Sequence, residues 1–209
     1  MSQKEFVSVV FDSRILNFGE ISELMKYYSY IELTSPLPFI HTPRASSIKL
    51  HQLICYRFSV YQSPGVGGCW SYSDKNPDVI VLSVNKSVKL HGIQHFGSEG
   101  GQYTVSTEVN DTTNGFSLVT KTGSYTSEKD KTHVYFGFTV WFDPPLQLHE
   151  GKRYEVRSLI QGPSSGYGEQ GKPSLECGQV KFSFYNTDSG SNNGTGRGDG
   201  QFSAFIFTT

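Results

Sequence analysis

No apolar run in this chain of 209 residues approaches the ~20 residues that a membrane-spanning helix needs. Cysteine is scarce: Cys55, Cys69 and Cys177 are the only three, and no two form a C-x-x-C pair. So sparse and odd a count predicts reduced thiols and a cytoplasmic setting, without metal. The opening stretch MSQKEFVSVV is too short and too polar to read as a signal peptide, which points the same way. Charge is scarce too. Charged residues make up 18% and nearly cancel to a net −1, so no basic field gathers phosphates and no nucleic acid is expected as ligand. Sequons begin at Asn85, Asn110 and Asn193 and are expected to be coincidental without a route to secretion.

Several chemistries also lack their motifs. The stretch NNGTGRGDGQ (192–201) contains Gly194 and Gly196, but a dinucleotide fingerprint needs a third glycine where Asp199 stands. It also runs into a strand-like segment rather than a helix, so no phosphate cradle is expected. Its Arg-Gly-Asp triplet, Arg197 to Asp199, reads as incidental, because integrins meet their ligands outside the cell. His91 and His95 share one side of a predicted strand, about 13 Å apart, too far to chelate one ion. They read as sheet-surface or cross-strand residues. No G-x-S-x-G elbow and no reactive-cysteine signature is present. Paired carboxylates are a spatial feature, so a carbohydrate-binding or hydrolytic β-sandwich stays as the alternative function.

What the chain does have is aromatic residues, 14% of the total, arranged with period two. HVYFGFTVW predicts Val134, Phe136, Phe138 and Val140 on one face of a strand, with Tyr135, Thr139 and Trp141 on the other. QYTVSTEV and QVKFSFYN alternate likewise, and further strands are expected over 54–60, 78–84, 87–96, 115–122, 152–160 and 201–208. Turn-rich stretches separate them, among them SPGVGG, NDTTNG, SEKDK and GPSSGYGEQG. Many short strands with no helix between them predict a mainly β, antiparallel β-sandwich of jelly-roll type over 54–209. Residues 1–53 differ. Ser2 with Glu5 and Asn17 with Glu20 have capping-box spacing, and Ile21, Leu24, Met25 and Tyr28 recur at helical intervals. A short two-helix segment is predicted there, ended by Pro36, Pro38 and Pro43.

Four stretches carry a family likeness in order: WSYS (70–73), LSVNKSVKLHGIQHFGS (82–98), GPSSGYGEQG (162–171) and NNGTGRGDGQFSAFIFTT (192–209). They resemble successive signatures of the PHR domain of Highwire-type ubiquitin ligases and BTB–BACK–PHR adaptors. The upstream KEFVSVVFDSRILNFGEISELMKYY and FIHTPR resemble the end of a BACK region, which favours the adaptor branch. The resemblance implies a β-sandwich that is not catalytic and needs no cofactor. It implies a module that holds the protein substrate of a cullin-3 type ubiquitin ligase, in the cytoplasm and not at a membrane. Cullin-3 itself would bind only through a BTB domain, and these residues contain none. Two departures stand out: HGIQHFGS replaces the usual small and aromatic run, and KPSLECGQ is shorter than expected.

Partner contacts are expected on loops at a sandwich end. The candidates are Trp70, Gly162, Pro163, Tyr167, Gly168, Asn192, Asn193 and Asp199, several of which also suit turn capping or aromatic packing. Strand parity decides whether 162–171 and 187–200 share one rim. They do so only if KPSLE (172–176) makes a return strand and Cys177–Gly178 a tight turn.

Overall fold

The last strand-like run, Phe202–Thr208, is buried at all seven positions, and its place explains the architecture. The computed structural model describes residues 52–65, 68–188 and 190–209, and shows fourteen strands and no helix among them. Numbered in chain order, five form one sheet: β1 (Leu53–Tyr56), β14 (Phe202–Thr208), β4 (Val88–Phe96), β8 (Phe136–Leu148) and β7 (Glu128–Lys129). Six form a second: β11 (Ser174–Cys177), β12 (Val180–Tyr185), β3 (Asp78–Val84), β9 (Arg153–Gln161), β5 (Gln102–Asp111) and β6 (Ser117–Thr126). A small third sheet joins β13 (Asp199–Gly200), β10 (Tyr167–Glu169) and β2 (Val60–Gln62). Neighbouring strands are antiparallel throughout.

Alternation builds the core. Across the five-stranded sheet Cys55, Phe205, Ile93 and Val140 stand in one lateral row, all fully buried. Across the six-stranded sheet Phe184, Leu82 and Tyr154 do the same, and Ile80, Val156 and Val109 form the next row. The two inner faces close on each other through rings: Phe182 lies 4.9 Å from Phe207 and Phe184 5.7 Å from Phe205, centroid to centroid. Each such buried side chain stabilises the fold by about 1.5–3 kcal/mol before entropy is counted. The expected mainly β, antiparallel sandwich is the observed fold.

Three expectations are corrected. A β-bulge between Leu90 and Gly92 shifts the phase of β4, so His91 and His95 face opposite sides. His91 is half-buried and bonds the Thr208 hydroxyl, while His95 lies in the core, 2.9 Å from Ser158 Oγ. β8 begins only at Phe136, so Val134 is 81% exposed and Tyr135 is buried, the reverse of the alternation read from the sequence. Cys55 and Cys177 are not free thiols but a disulfide, with Cα atoms 5.5 Å apart. It ties β1, an edge of one sheet, to β11, an edge of the other, a pairing across 122 residues that local spacing does not announce. The helices expected within 1–53 fall on residues outside those described, apart from Gln52 and Leu53.

Candidate functional site

KPSLE supplies the return strand that parity required. β11 pairs with β12 from Ser174↔Ser183 to Cys177↔Val180, and Gly178, at φ 64°, makes the turn between them. The loops on either side, 162–171 and 187–200, therefore reach one end of the sandwich. Trp70 shows this directly: its ring lies 5.5 Å from Tyr167, and a Cβ at Gly194 would sit 3.4 Å from it.

That end is built on a buried carboxylate. Asp78, the first residue of β3, is 1% exposed and takes hydrogen bonds from Thr195 Oγ1 (2.8 Å), Trp70 Nε1 (3.1 Å) and, at 3.5 Å, Asn193 Nδ2. Burial pushes its carboxyl up to about 6, against the pull of those three donors. Thr195, Trp70 and Asn193 are thus fixed by one side chain that none of them adjoins in sequence. Gln201 is the second hub. Its Nε2 donates to Ser165 Oγ and the Gly166 carbonyl, its Oε1 accepts from the Tyr72 hydroxyl, and its amide donates to Thr195 Oγ1.

Arg57 is the third. It is 2% exposed, donates to the Gly196 carbonyl (2.8 Å) and the Phe202 carbonyl (3.3 Å), and lies over the rings of Phe58 and Phe184. Burial brings its guanidinium down to about 9, with Asp199 acting in the opposite sense, so it stays charged at neutral pH. The glycine-rich loop therefore sits on a buried cation from below and hangs from a buried carboxylate at the side.

The expected residues divide accordingly. Trp70, Tyr167 and Asn193 come together, with Asn193 Nδ2 also bonding the Ser71 carbonyl. Asn192 works inside the loop: its Oδ1 accepts from the Val79 and Gly194 amides and its Nδ2 donates to the Thr195 carbonyl. Gly168 is buried against the Phe58 ring, where a Cβ would overlap it. Asp199 is exposed on the lip of a polar bowl of about 570 Å³ floored by Gly194, Thr195 and Gly196. Gly162 and Pro163 are exposed, and Gly162 lies against Tyr103 rather than the bowl. Asp78, Gln201 and Arg57 escaped sequence reading. Their one signal is a charged or amide group beside an apolar run, as in DVIVLSV, which does not say what it bonds.

Two features bear on hydrolytic chemistry. Glu169 and Asp199 are cross-strand partners, but Glu169 already receives Gln62 Nε2 and the Tyr167 hydroxyl. Asp78, the one carboxyl among the described rim residues raised as a general acid needs, is 1% exposed. His95 and Ser158 form a hydrogen-bonded pair extended by Thr107, yet all three are 0% exposed, with the imidazole stacked on Phe138. No substrate reaches it.

A family model described as the PHR domain matches residues 57–208. Over 210 aligned residues, covering 99% of this chain, it is 27% identical to BTB/POZ domain-containing protein 6-B of Danio rerio and covers 41% of that protein. Human BTB/POZ domain-containing protein 6 is 27% identical and human BTB/POZ domain-containing protein 3 is 26% identical, each over 99% of this chain. The chain covers 36% and 38% of those two proteins, so it spans well under half of the relatives it matches.

Proposed function

We propose that this chain, which belongs to the PHR-domain family, is a non-enzymatic recognition module that holds a protein substrate for a cullin-3 type ubiquitin-ligase adaptor. The supporting observation is the half-buried Trp70–Tyr167 pair, presented at one end of the sandwich by loops that a buried network makes rigid. Rigid aromatic anchors of this kind dominate many interfaces, because little side-chain entropy is lost when they are covered. The rim acids favour binding over hydrolysis: one is engaged by its neighbours and the other stands in open solvent. The cytoplasm is the proposed compartment, where reducing conditions would open the Cys55–Cys177 pair to two adjacent thiols.

Tyr167→Ala tests the reading. Tyr167 is half-buried, with a ring contact to Trp70 and a hydroxyl bond to Glu169, so its loss should cost under about 1 kcal/mol of stability. Capture of partners from cytosol, read by mass spectrometry, should fall by roughly 30-fold for the main partner, the loss typical of an aromatic hot spot. Unchanged capture with a large drop in melting temperature would place the tyrosine in the core's service and sink the proposal. A second expectation concerns cullin-3. The purified chain should show no binding to the cullin-3 amino-terminal region at micromolar concentration, since the proposed contact runs through a BTB domain. Clear binding by calorimetry would contradict it.

A further inference from the structure

A second cavity, of about 370 Å³, opens beside the aromatic pair, walled by Pro64, Phe136, Gly97 and Gly166 and backed by Tyr135. Gly166, which precedes Tyr167 in the chain, lines this cleft and Gly171 lines the polar bowl, so the two border opposite ends of one segment. Polar groups around it are largely engaged within the protein. The Gly97 amide donates to the Phe136 carbonyl, the Gly166 amide to the Gly97 carbonyl, and the Tyr135 hydroxyl to Gln94. Ser98 is taken by the Tyr103 hydroxyl through both its amide and its Oγ, and Gln62 Nε2 by Glu169. Apart from the exposed Ser63 at the edge, the remaining lining is Pro64, the half-buried Phe136 and the two glycines. Both glycines are required there: a Cβ at Gly97 would overlap Ser127, and one at Gly166 would meet the Gln62 carbonyl. The lining residue with a formal charge is Glu99, exposed at the mouth, with no hydrogen bond or ion pair to other described residues.

We infer that this cleft is the anchor pocket of the recognition surface, taking an aliphatic or aromatic side chain of the partner with a lysine or arginine beside it over Glu99. The inference rests on the protein-recognition reading above. An apolar occupant follows from the engaged polar groups, because a polar side chain entering here would exchange water for few partners. The basic neighbour follows from charge complementarity with the carboxylate, which orients the segment more than it tightens it. The partner segment would then run from the cleft across the Trp70–Tyr167 ridge.

The test uses the full chain, isotope-labelled, and four capped tetrapeptides: Gly-Leu-Arg-Gly, Gly-Phe-Arg-Gly, Gly-Leu-Glu-Gly and Gly-Ser-Arg-Gly. At millimolar peptide, Leu-Arg and Phe-Arg should shift the amide resonances of Gly97, Ser98, Glu99 and Gly166. The Ser-Arg peptide should leave them in place. Glu99→Lys, a surface change that should leave the fold intact, is expected to weaken Leu-Arg by about fivefold and to favour Leu-Glu instead. No shift at these amides, shifts that ignore the peptide's sequence, or shifts confined to residues 194–199 would overturn the pocket assignment. Partner capture separates the two readings. Loss with Tyr167→Ala but not with Glu99→Lys keeps the recognition rim and rejects the cleft; loss with neither rejects both.

Discussion

Phe205→Ala is expected to cost this domain about 3–5 kcal/mol, a large part of the 5–15 kcal/mol that typically holds a domain together. Phe205 is 0% exposed at the middle of β14, between Cys55 on β1 and Ile93 on β4, with its ring against those of Phe182 and Phe184. No loop can collapse into the space, because every neighbour is itself held in a ladder. The cost is therefore lost transfer energy plus a cavity that stays open. Urea unfolding followed by tryptophan emission measures it. A loss under about 1.5 kcal/mol would mean that the two sheets re-pack freely, which contradicts the ordered core described here.

The second large effect concerns pH, and it is concealed in the unmodified protein. His95, buried beside Ser158, has its imidazole lowered from the ordinary 6.5 to about 3 by burial, with the Ile93 backbone acting weakly in the opposite sense. The folded state keeps it neutral while the unfolded state takes a proton below 6.5, so stability is lost as pH falls. Asp78 runs the other way. Its carboxyl is raised to about 6 by burial, so the folded state takes that proton first and stability is gained as pH falls through 6 towards the ordinary 3.8. Between about pH 7.5 and pH 4.5 the first contribution is about −3 kcal/mol and the second about +2 kcal/mol. They nearly cancel. Asp111 and Asp130, held below the ordinary carboxylate value by hydrogen bonds that outweigh burial, act only at lower pH.

Single variants should separate the two. Asp78→Asn should lose about 3 kcal/mol over that interval, and His95→Phe should gain about 2 kcal/mol. Urea titrations at the two pH values decide it, and parallel pH profiles for all three proteins would show that neither group titrates as the burial implies.

The sequence makes several long strands legible because they present one wet and one dry face. Gln102–Asp111, Arg153–Gln161 and Val180–Tyr185 alternate in burial much as their residues alternate in polarity. Strands of two or three residues, such as β2, β10 and β13, are too short to show a period. The loops over 162–171 and 187–200 were readable as loops from their glycines and asparagines, and the return strand over Ser174–Cys177 settled on which end they meet. Their support was not readable. Asp78, Ser165, Thr195 and Gln201 meet only after the sandwich forms, and nothing local in DVIVLSV or GQFSAFIF marks them as bonded to one another's loops. The His91–His95 reading failed for a different reason: a bulge is one extra residue of register, invisible to a pattern that assumes strict alternation.

The position of β14 also sets the order in which the two main sheets can close during synthesis. It is the final strand in chain order, yet it lies between β1 and β4, so the five-stranded sheet has a gap until Phe202–Thr208 have been synthesised. At about 5–20 residues per second, β1 waits roughly 7–30 s for its ladder partner among the described strands. Until then Cys55, joined in turn by Ile93 and Val140 as they are made, lacks the Phe205 that completes its buried row. The five-stranded sheet is therefore the later of the two to close, while hairpins of the six-stranded sheet, such as β5–β6, can form before β14 exists.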